Sequence, residues 1–331
     1  MKTRVNDDPI WLWLAFSLLG LSYLLPNHYP PWLSFHSEFL AAAALPFLLI
    51  AVYAANRARD NGVPLPGIAA ACAAVAAVPI VQAAAGLVYF SGDAFMAASY
   101  ILAFAASIAL GYQLREAKET ERWPELLAGV VILVGLISVY LQLLQWLGIR
   151  NLGYLLAELP PGGRPFANLA QPNQTATLLM LALLGTLWLH QRRRLGTWVV
   201  GLAVMLLSWG IVMTQSRTAW LELAMLLCGL IWLRKRADLR VSPRTVFAIG
   251  GTFLLFFLAW PSVSDALYSP AGRTFEEQAG AGTRPVHWAS LLDAVVRQPW
   301  FGYGWNQVAV AQANVVTDHE TMGEMLHHSH N

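Results

Sequence analysis

Residues 125–147 read ELLAGVVILVGLISVYLQLLQWL. About 20 consecutive apolar residues are needed to cross a bilayer as a helix, and this stretch has that length with one charge, at Glu125. The rest of the chain agrees, because 57% of its 331 residues are hydrophobic and only 12% are charged. Soluble domains carry about 25% charge. The composition therefore predicts a protein that crosses a membrane several times.

Nine segments of the chain are apolar and long enough, or nearly so, to span the bilayer. They cover residues 10–26, 39–55, 67–90, 95–113, 125–147, 173–190, 197–214, 218–233 and 245–260. We predict an all-α polytopic membrane protein with at least nine transmembrane helices in residues 1–260. Residues 261–331 are predicted to form an external helical subdomain, because residues 288–297 show helical spacing of apolar positions.

The basic residues alternate from one connection to the next, which predicts the orientation. Most of the 21 lysines and arginines fall in one set of loops: Lys2, Arg4, Arg57, Arg59, Arg115, Lys118, Arg122, Arg192, Arg193, Arg194, Arg234, Lys235, Arg236, Arg240 and Arg244. The positive-inside rule assigns these loops and the N-terminus to the cytoplasm. The opposite side carries arginine but no lysine: Arg150, Arg164, Arg217, Arg273, Arg284 and Arg297.

Three of the external arginines are candidate phosphate ligands, since arginine binds phosphate oxygens bidentately and keeps its charge when partly buried. Arg217 lies in the short turn between two spans, where an ionisable side chain indicates function, although it could also be an arginine that extends to the headgroups. Arg284 precedes the predicted helix of the external subdomain, and a helix N-terminus binds anions. Arg164 lies in a loop rich in Pro, Gly, Asn and Gln.

The amide side chains of the same loop allow two interpretations. Asn168, Gln171 and Asn173 stand at the mouth of a predicted span, where amides suit the recognition of sugar or phosphate groups. Asn173 is also a candidate N-cap for that span.

A histidine cluster closes the chain, with histidines at 327, 328 and 330. His-x-His spacing beside Asp318, His319 and Glu320 could bind zinc, but the His-Glu-x-x-His pattern of zinc proteases is absent. One imidazole could instead act as a general base towards a hydroxyl nucleophile. The histidines could also be ordinary polar loop residues. The chain has neither a phosphate-binding Gly-x-x-x-x-Gly-Lys loop nor a dinucleotide fingerprint, so ATP- or NAD-driven chemistry is not supported.

Four motifs in order along the chain resemble one family. They are GRPFANLAQPNQ at 163–174, QSRT at 215–218, RPVHW at 284–288 followed by PWFGYGWN at 299–306, and HSHN at 328–331. The chain resembles the bacterial O-oligosaccharyltransferases, which are pilin or protein glycosylation ligases of the O-antigen ligase and polymerase superfamily. The first motif resembles the protein-ligase branch more than the lipopolysaccharide-ligase branch.

The resemblance implies a fold and a reaction. The fold would be the membrane glycosyltransferase C fold of the metal-independent enzymes, in the bacterial inner membrane with the active site in the periplasm. The donor would be a glycan on undecaprenyl diphosphate, transferred with inversion to a Ser/Thr hydroxyl of pilin or another periplasmic protein. His330 would be the base and His328 its assistant, with no metal and no cofactor. Arg217, Arg284 and Arg164 would bind the diphosphate, and Asn168, Gln171 and Asn173 would shape the donor or acceptor cleft.

Two alternative functions stay open, and the chain differs from the family pattern at its end. An O-antigen ligase would share the donor and transfer the glycan to lipid A-core. A transporter of lipid-linked sugars would place polar residues deep in its spans, where this sequence has few, among them Gln82 and Gln142. The expected partners are the lipid-linked glycan donor, an acceptor that is a periplasmic protein or lipid A-core, and membrane lipid, and we expect no nucleic acid. Family members continue past the His-Asn pair, so we expect this chain to end before further spans.

Overall fold

A computed structural model describes residues 10–26, 30–56, 65–116, 122–236, 239, 241–267 and 284–315, without the side chains of residues 235 and 284–287. Every regular element in these ranges is helical. The helices are α1 (Ile10–Leu24), α2 (Phe35–Asn56), α3 (Gly67–Val75), α4 (Ala77–Ala84), α5 (Ser91–Glu116), α6 (Trp123–Trp146), α7 (Pro172–Gln191), α8 (Thr197–Met213), α9 (Arg217–Arg236), α10 (Pro243–Ala266), α11 (Arg284–Arg297) and α12 (Val308–Ala313), with a 3₁₀ turn at Gly153–Leu155.

All nine predicted apolar segments are helical, but not all of them have the length and apolarity of a span. Five described stretches do: Phe35–Asn56, Gly67–Ala84, Ser91–Glu116, Trp123–Trp146 and Pro243–Ala266. Two more apolar helices, α1 and α8, are shorter, at 15 and 17 residues. The described chain is therefore all-helical with five candidate membrane spans.

The predicted span at 67–90 is not one continuous helix. It breaks at Ala76 between α3 and α4. Pro79 explains the break, because proline has no N–H to donate to the carbonyl four residues earlier and its ring collides with that carbonyl. That carbonyl belongs to Val75, the last residue of α3.

The chain divides into two compact units, formed by residues 1–51 with 119–276 and by residues 52–118 with 277–331. In the first unit, α6, α7 and α8 pack around a core that contains Val139, Leu179, Leu183, Leu207 and Ile211. Gly210 lets α8 approach closely, since a Cβ there would lie 2.5 Å from Val139 Cγ2 and 2.8 Å from Leu179 Cδ1. Small residues at such contacts are typical of helix packing in membranes.

Within the second unit, Gln82 of α4 holds the aromatic segment that follows α11. Its Oε1 accepts a hydrogen bond from the Trp305 amide at 2.8 Å, and its Nε2 donates to the Phe301 carbonyl at 3.4 Å. Gln82 therefore has a structural role. The sequence alone had left open a role in transport, because Gln82 lies in a predicted span. The helical pattern predicted for residues 288–297 is confirmed, and the helix begins earlier, at Arg284.

Candidate functional site

One glutamine of α6 fixes the loop that carries three of the predicted site residues, Arg164, Asn168 and Gln171. The Gln145 side chain is buried, and its Oε1 accepts hydrogen bonds from the amides of Phe166 and Ala167 at 3.0 and 2.8 Å. Its Nε2 donates to the carbonyls of Ala157 and Ala167 at 2.8 and 2.7 Å. Ala167 has φ 54°, an unfavourable conformation for alanine that persists only where the surroundings enforce it. Gln145 supplies that constraint.

Asn168 completes the same arrangement from inside the loop. It is 1% exposed; its Oδ1 accepts the Ala157 amide at 2.9 Å, and its Nδ2 donates to the carbonyls of Leu24 and Leu155. Both ends of this carboxamide are thus bonded to the main chain. Any effect of Asn168 on a cleft would act through the position of the loop.

A tight turn brings Arg164 back towards the helices. The Gly163 amide donates to the Pro160 carbonyl at 2.8 Å, and Gly162 has φ 68°. A proline followed by a glycine of positive φ forms a type II turn, here with Pro161 and Gly162 at its centre. Arg164 follows directly and is half-buried, and its Nη1 donates to the Gln215 carbonyl at 3.1 Å.

The turn between α8 and α9 presents that carbonyl. The amides of Thr214 and Gln215 bond back to Ile211 and Val212, so α8 ends in a 3₁₀ turn. Gln215 then adopts φ 47°, and its side chain donates to the Val212 carbonyl at 2.7 Å. Arg217, the first residue of α9, follows two positions later with an exposed side chain. The structure therefore brings Arg164 to the N-terminus of the helix that begins with Arg217.

Asn173 joins α7 to the same turn. Its Oδ1 accepts a hydrogen bond from Ser216 Oγ at 2.8 Å. The predicted N-cap role of Asn173 was wrong, because Gln171 occupies the N-cap position and Pro172 begins the helix. A proline at the first helical position is favourable since its missing N–H would have no partner there. Gln171 is exposed and its side chain does not cap the helix.

Two polar residues deeper in the same helix pair were not predicted. Thr177 Oγ1 on α7 donates to Glu222 Oε1 on α9 at 2.5 Å. The other carboxylate oxygen of Glu222 is buried, and no described residue bonds it. An acidic residue in the apolar stretch 218–233 was the available signal, since such residues usually mark function or a specific contact.

The structure does not describe the side chains of the remaining predicted site residues. His328 and His330 are outside the described residues, as is the Arg284 side chain. The Arg284 backbone is the first residue of α11, so the prediction that it precedes the helix was wrong. The roles predicted for these three residues stay predictions.

Comparison with known proteins gives two family matches. Residues 165–190 match the family described as protein glycosylation ligase, and residues 202–331 match the family described as O-antigen ligase. The ligase match begins inside α8 and includes the turn at Gln215 as well as Arg217 and Glu222, whereas the loop after Arg164 and the start of α7 fall in the protein glycosylation match.

Two curated proteins that are similar to this chain come from Acinetobacter baylyi. A general O-oligosaccharyltransferase is 30% identical over 309 residues, which are 91% of this chain and 53% of the relative. A ComP-specific O-oligosaccharyltransferase is 30% identical over 259 residues, which are 76% of this chain and 45% of the relative. The chain thus spans about half the length of these relatives. No solved structure matches it significantly.

Proposed function

We propose that the protein transfers a glycan from undecaprenyl diphosphate to a Ser/Thr hydroxyl of a periplasmic protein such as pilin. It would work in the bacterial inner membrane with its site in the periplasm, on a glycosyltransferase C fold of at least nine spans. The observation that carries the proposal is the hydrogen bond from Arg164 to the Gln215 carbonyl. This bond links the loop that carries Arg164 to the turn before Arg217, and so supports the proposal that the two arginines act on one ligand.

This arrangement suits a diphosphate for two reasons. Arg164 and Arg217 supply guanidinium groups at one end of α7 and α9, and guanidinium binds phosphate oxygens through paired N–H groups. The N-terminus of α9 adds the positive end of a helix dipole. Arg284 is a third ligand in this proposal, on the strength of the sequence motif alone.

The proposed step is a single displacement. The oxygen of the acceptor hydroxyl forms a bond to the anomeric carbon while the bond from that carbon to the diphosphate oxygen breaks. The diphosphate leaves with the lipid, and the arginines stabilise the negative charge that it gains. The hydroxyl proton passes to His330, assisted by His328. The amides of Asn168, Gln171 and Asn173 shape the surrounding cleft, Asn168 by holding the loop.

A second candidate is transfer to lipid A-core, because the longer family match, over residues 202–331, is described as O-antigen ligase. The names of both relatives, and the match at residues 165–190, favour a protein acceptor instead. None of these names describes a transporter.

The deciding experiment is transfer by the full-length protein in lipid nanodiscs, with undecaprenyl-diphosphate glycan as donor. Pilin and lipid A-core are supplied in separate reactions, and His330→Ala is the control. Glycan on pilin that disappears in the variant is the expected result. Glycan on lipid A-core alone would overturn the protein acceptor, and full activity of His330→Ala would overturn the general base.

A further inference from the structure

A cleft of about 960 Å³ opens beside the loop between α6 and α7. Its lining includes buried apolar side chains, Leu144 and Leu156, and exposed side chains of opposite charge, Arg150 and Glu158. Tyr154, also in the lining, is 85% exposed. An apolar floor with a few polar groups at its rim is the usual composition of a ligand site.

One wall of the cleft has the hydrogen-bonding pattern of a strand edge. Leu156 is extended, with φ −120° and ψ 124°. The amide and the carbonyl of Ala157 both bond to the protein interior, to Asn168 and Gln145. Successive residues of an extended chain direct their main-chain groups to opposite sides. An extended Ala157 would direct the amide and carbonyl of Glu158 away from Gln145, and no described residue bonds these two groups.

The carbonyl of Leu156 is available in the same way. The Leu156 amide is bonded to Gly153, while its carbonyl has no partner among the described residues. The edge thus offers three main-chain groups in strand order: the Leu156 carbonyl, the Glu158 amide and the Glu158 carbonyl. An extended peptide is bound by such an edge through main-chain hydrogen bonds, with pockets for alternate side chains.

The cleft is also connected to the arginine site. The side chain of Gln145, which lines the cleft, bonds both Ala157 on the cleft wall and Ala167 in the site loop. The wall leads through the turn at Pro161 and Gly162 directly to Arg164. The match described as protein glycosylation ligase begins at the next residue, Pro165. That match therefore begins four residues after Pro161, the last lining residue of the cleft.

We propose that this cleft binds an extended segment of the acceptor polypeptide, which pairs with the edge at Leu156 and Glu158 by main-chain hydrogen bonds. The inference rests on the proposed function and adds the place and the manner of acceptor recognition. Recognition through the main chain tolerates different acceptor sequences, while the apolar floor and the charges of Arg150 and Glu158 select among their side chains.

The test compares two substitutions at one position of the full-length protein. Glu158→Pro removes the amide that would pair with the peptide, and Glu158→Ala removes the same side chain but keeps the amide. The Michaelis constants for pilin and for the lipid-linked donor are measured for both. Glu158→Pro is expected to raise the acceptor constant about tenfold, since one lost hydrogen bond of about 1.4 kcal/mol corresponds to that factor. Glu158→Ala is expected to raise the Michaelis constant for pilin less than Glu158→Pro does. The Michaelis constant for the lipid-linked donor should stay unchanged in both variants.

An equal acceptor constant for Glu158→Pro and wild type would overturn the inference while leaving the proposed function intact. A rise in the donor constant alone would also overturn it. Transfer by the wild type to lipid A-core and not to pilin would instead overturn the protein acceptor itself. A second measurement does not depend on the folding of the proline variant. A photo-crosslinking amino acid in place of Tyr154 should capture pilin, and capture of the lipid-linked donor instead would contradict the assignment.

Discussion

Arg164 donates a hydrogen bond from Nη1 to the main-chain carbonyl of Gln215, at 3.1 Å. This contact fixes one nitrogen of the guanidinium group and so sets where the other nitrogens can reach. A lysine has one charged nitrogen, which cannot both replace this bond and bind a phosphate oxygen in the same way.

Arg164→Lys should therefore weaken donor binding although it keeps the charge. We expect the Michaelis constant for the lipid-diphosphate donor to rise by about tenfold or more, because hydrogen bonds to charged groups contribute about 1.5–3 kcal/mol. Steady-state transfer kinetics would measure this change. The matched control is Arg297→Lys, since Arg297 also donates to a main-chain carbonyl, that of Asn314, and is not among the proposed diphosphate ligands. Equal effects of the two substitutions would argue against a specific role for Arg164.

Arg217→Ala should abolish the stabilisation that a diphosphate lipid gives to the protein. A ligand that binds only the folded state raises the free energy of unfolding by about 2.7 kcal/mol at one hundred times its dissociation constant. Thermal unfolding in detergent, with and without undecaprenyl diphosphate, would measure the shift. The shift should persist in Arg297→Ala, and its persistence in Arg217→Ala would remove Arg217 from the binding site.

Gln145 and Gln142 lie one turn apart on α6 and should differ in their importance for stability. Gln145 makes four hydrogen bonds to loop main chain. Gln142 donates two longer ones, to the carbonyls of Pro165 and Gly210, and its Oε1 has no partner among the described residues. Gln145→Met should lower the free energy of unfolding by at least about 2 kcal/mol, and Gln142→Met by less. Thermal unfolding of both variants would measure the two losses of stability. Equal losses would contradict the assigned role of Gln145.

Gly210 and Gly201, both on α8, offer a test of close helix packing. A Cβ at Gly210 would lie 2.5 Å from Val139 Cγ2, whereas a Cβ at Gly201 would meet no atom within 4 Å. Gly210→Ala should destabilise the protein by about 1–3 kcal/mol through overpacking. Gly201→Ala should be neutral or stabilising by up to about 1 kcal/mol, because alanine is the better helix former. The difference in unfolding temperature between the variants measures the effect.

The pair formed by Thr177 and Glu222 should behave as one unit. Thr177→Val removes the donor of their hydrogen bond and Glu222→Leu removes the acceptor. A double-mutant cycle of unfolding free energies should give a coupling of about 0.6 kcal/mol, the average for hydrogen bonds between membrane helices. Strict additivity of the two single substitutions would show that the contact does not hold α7 to α9.

The apolar segments of the sequence predicted the helices well, because in a membrane protein one physical requirement, a long apolar run, acts on each segment separately. The break at Ala76 was also within reach, since the effect of Pro79 on the carbonyl of Val75 is local. The position of a helix or of a break in it was thus predictable where the residues responsible are close together in the sequence.

The site was less predictable because its contacts join distant parts of the chain. The sequence indicated Arg164, Arg217 and Asn173 as candidates. It did not predict that Arg164 would bond the Gln215 carbonyl, or that Ser216 would bond Asn173. The local sequence does not show that Asn168 is buried with its side-chain amide bonded to main-chain groups, while Gln171 is exposed. Burial decides that difference, and burial is a property of the folded chain.

Gln145 and Asn168 hold the loop between α6 and α7 entirely through main-chain atoms. These hydrogen bonds therefore do not depend on the side chains exposed at the surface of the loop, such as Arg150 and Glu158. Those positions are free to change without unfolding the loop that supports them. On the proposed acceptor cleft, substitutions at these surface positions would change which acceptor is bound, and they are where a designer would begin in order to redirect the proposed reaction.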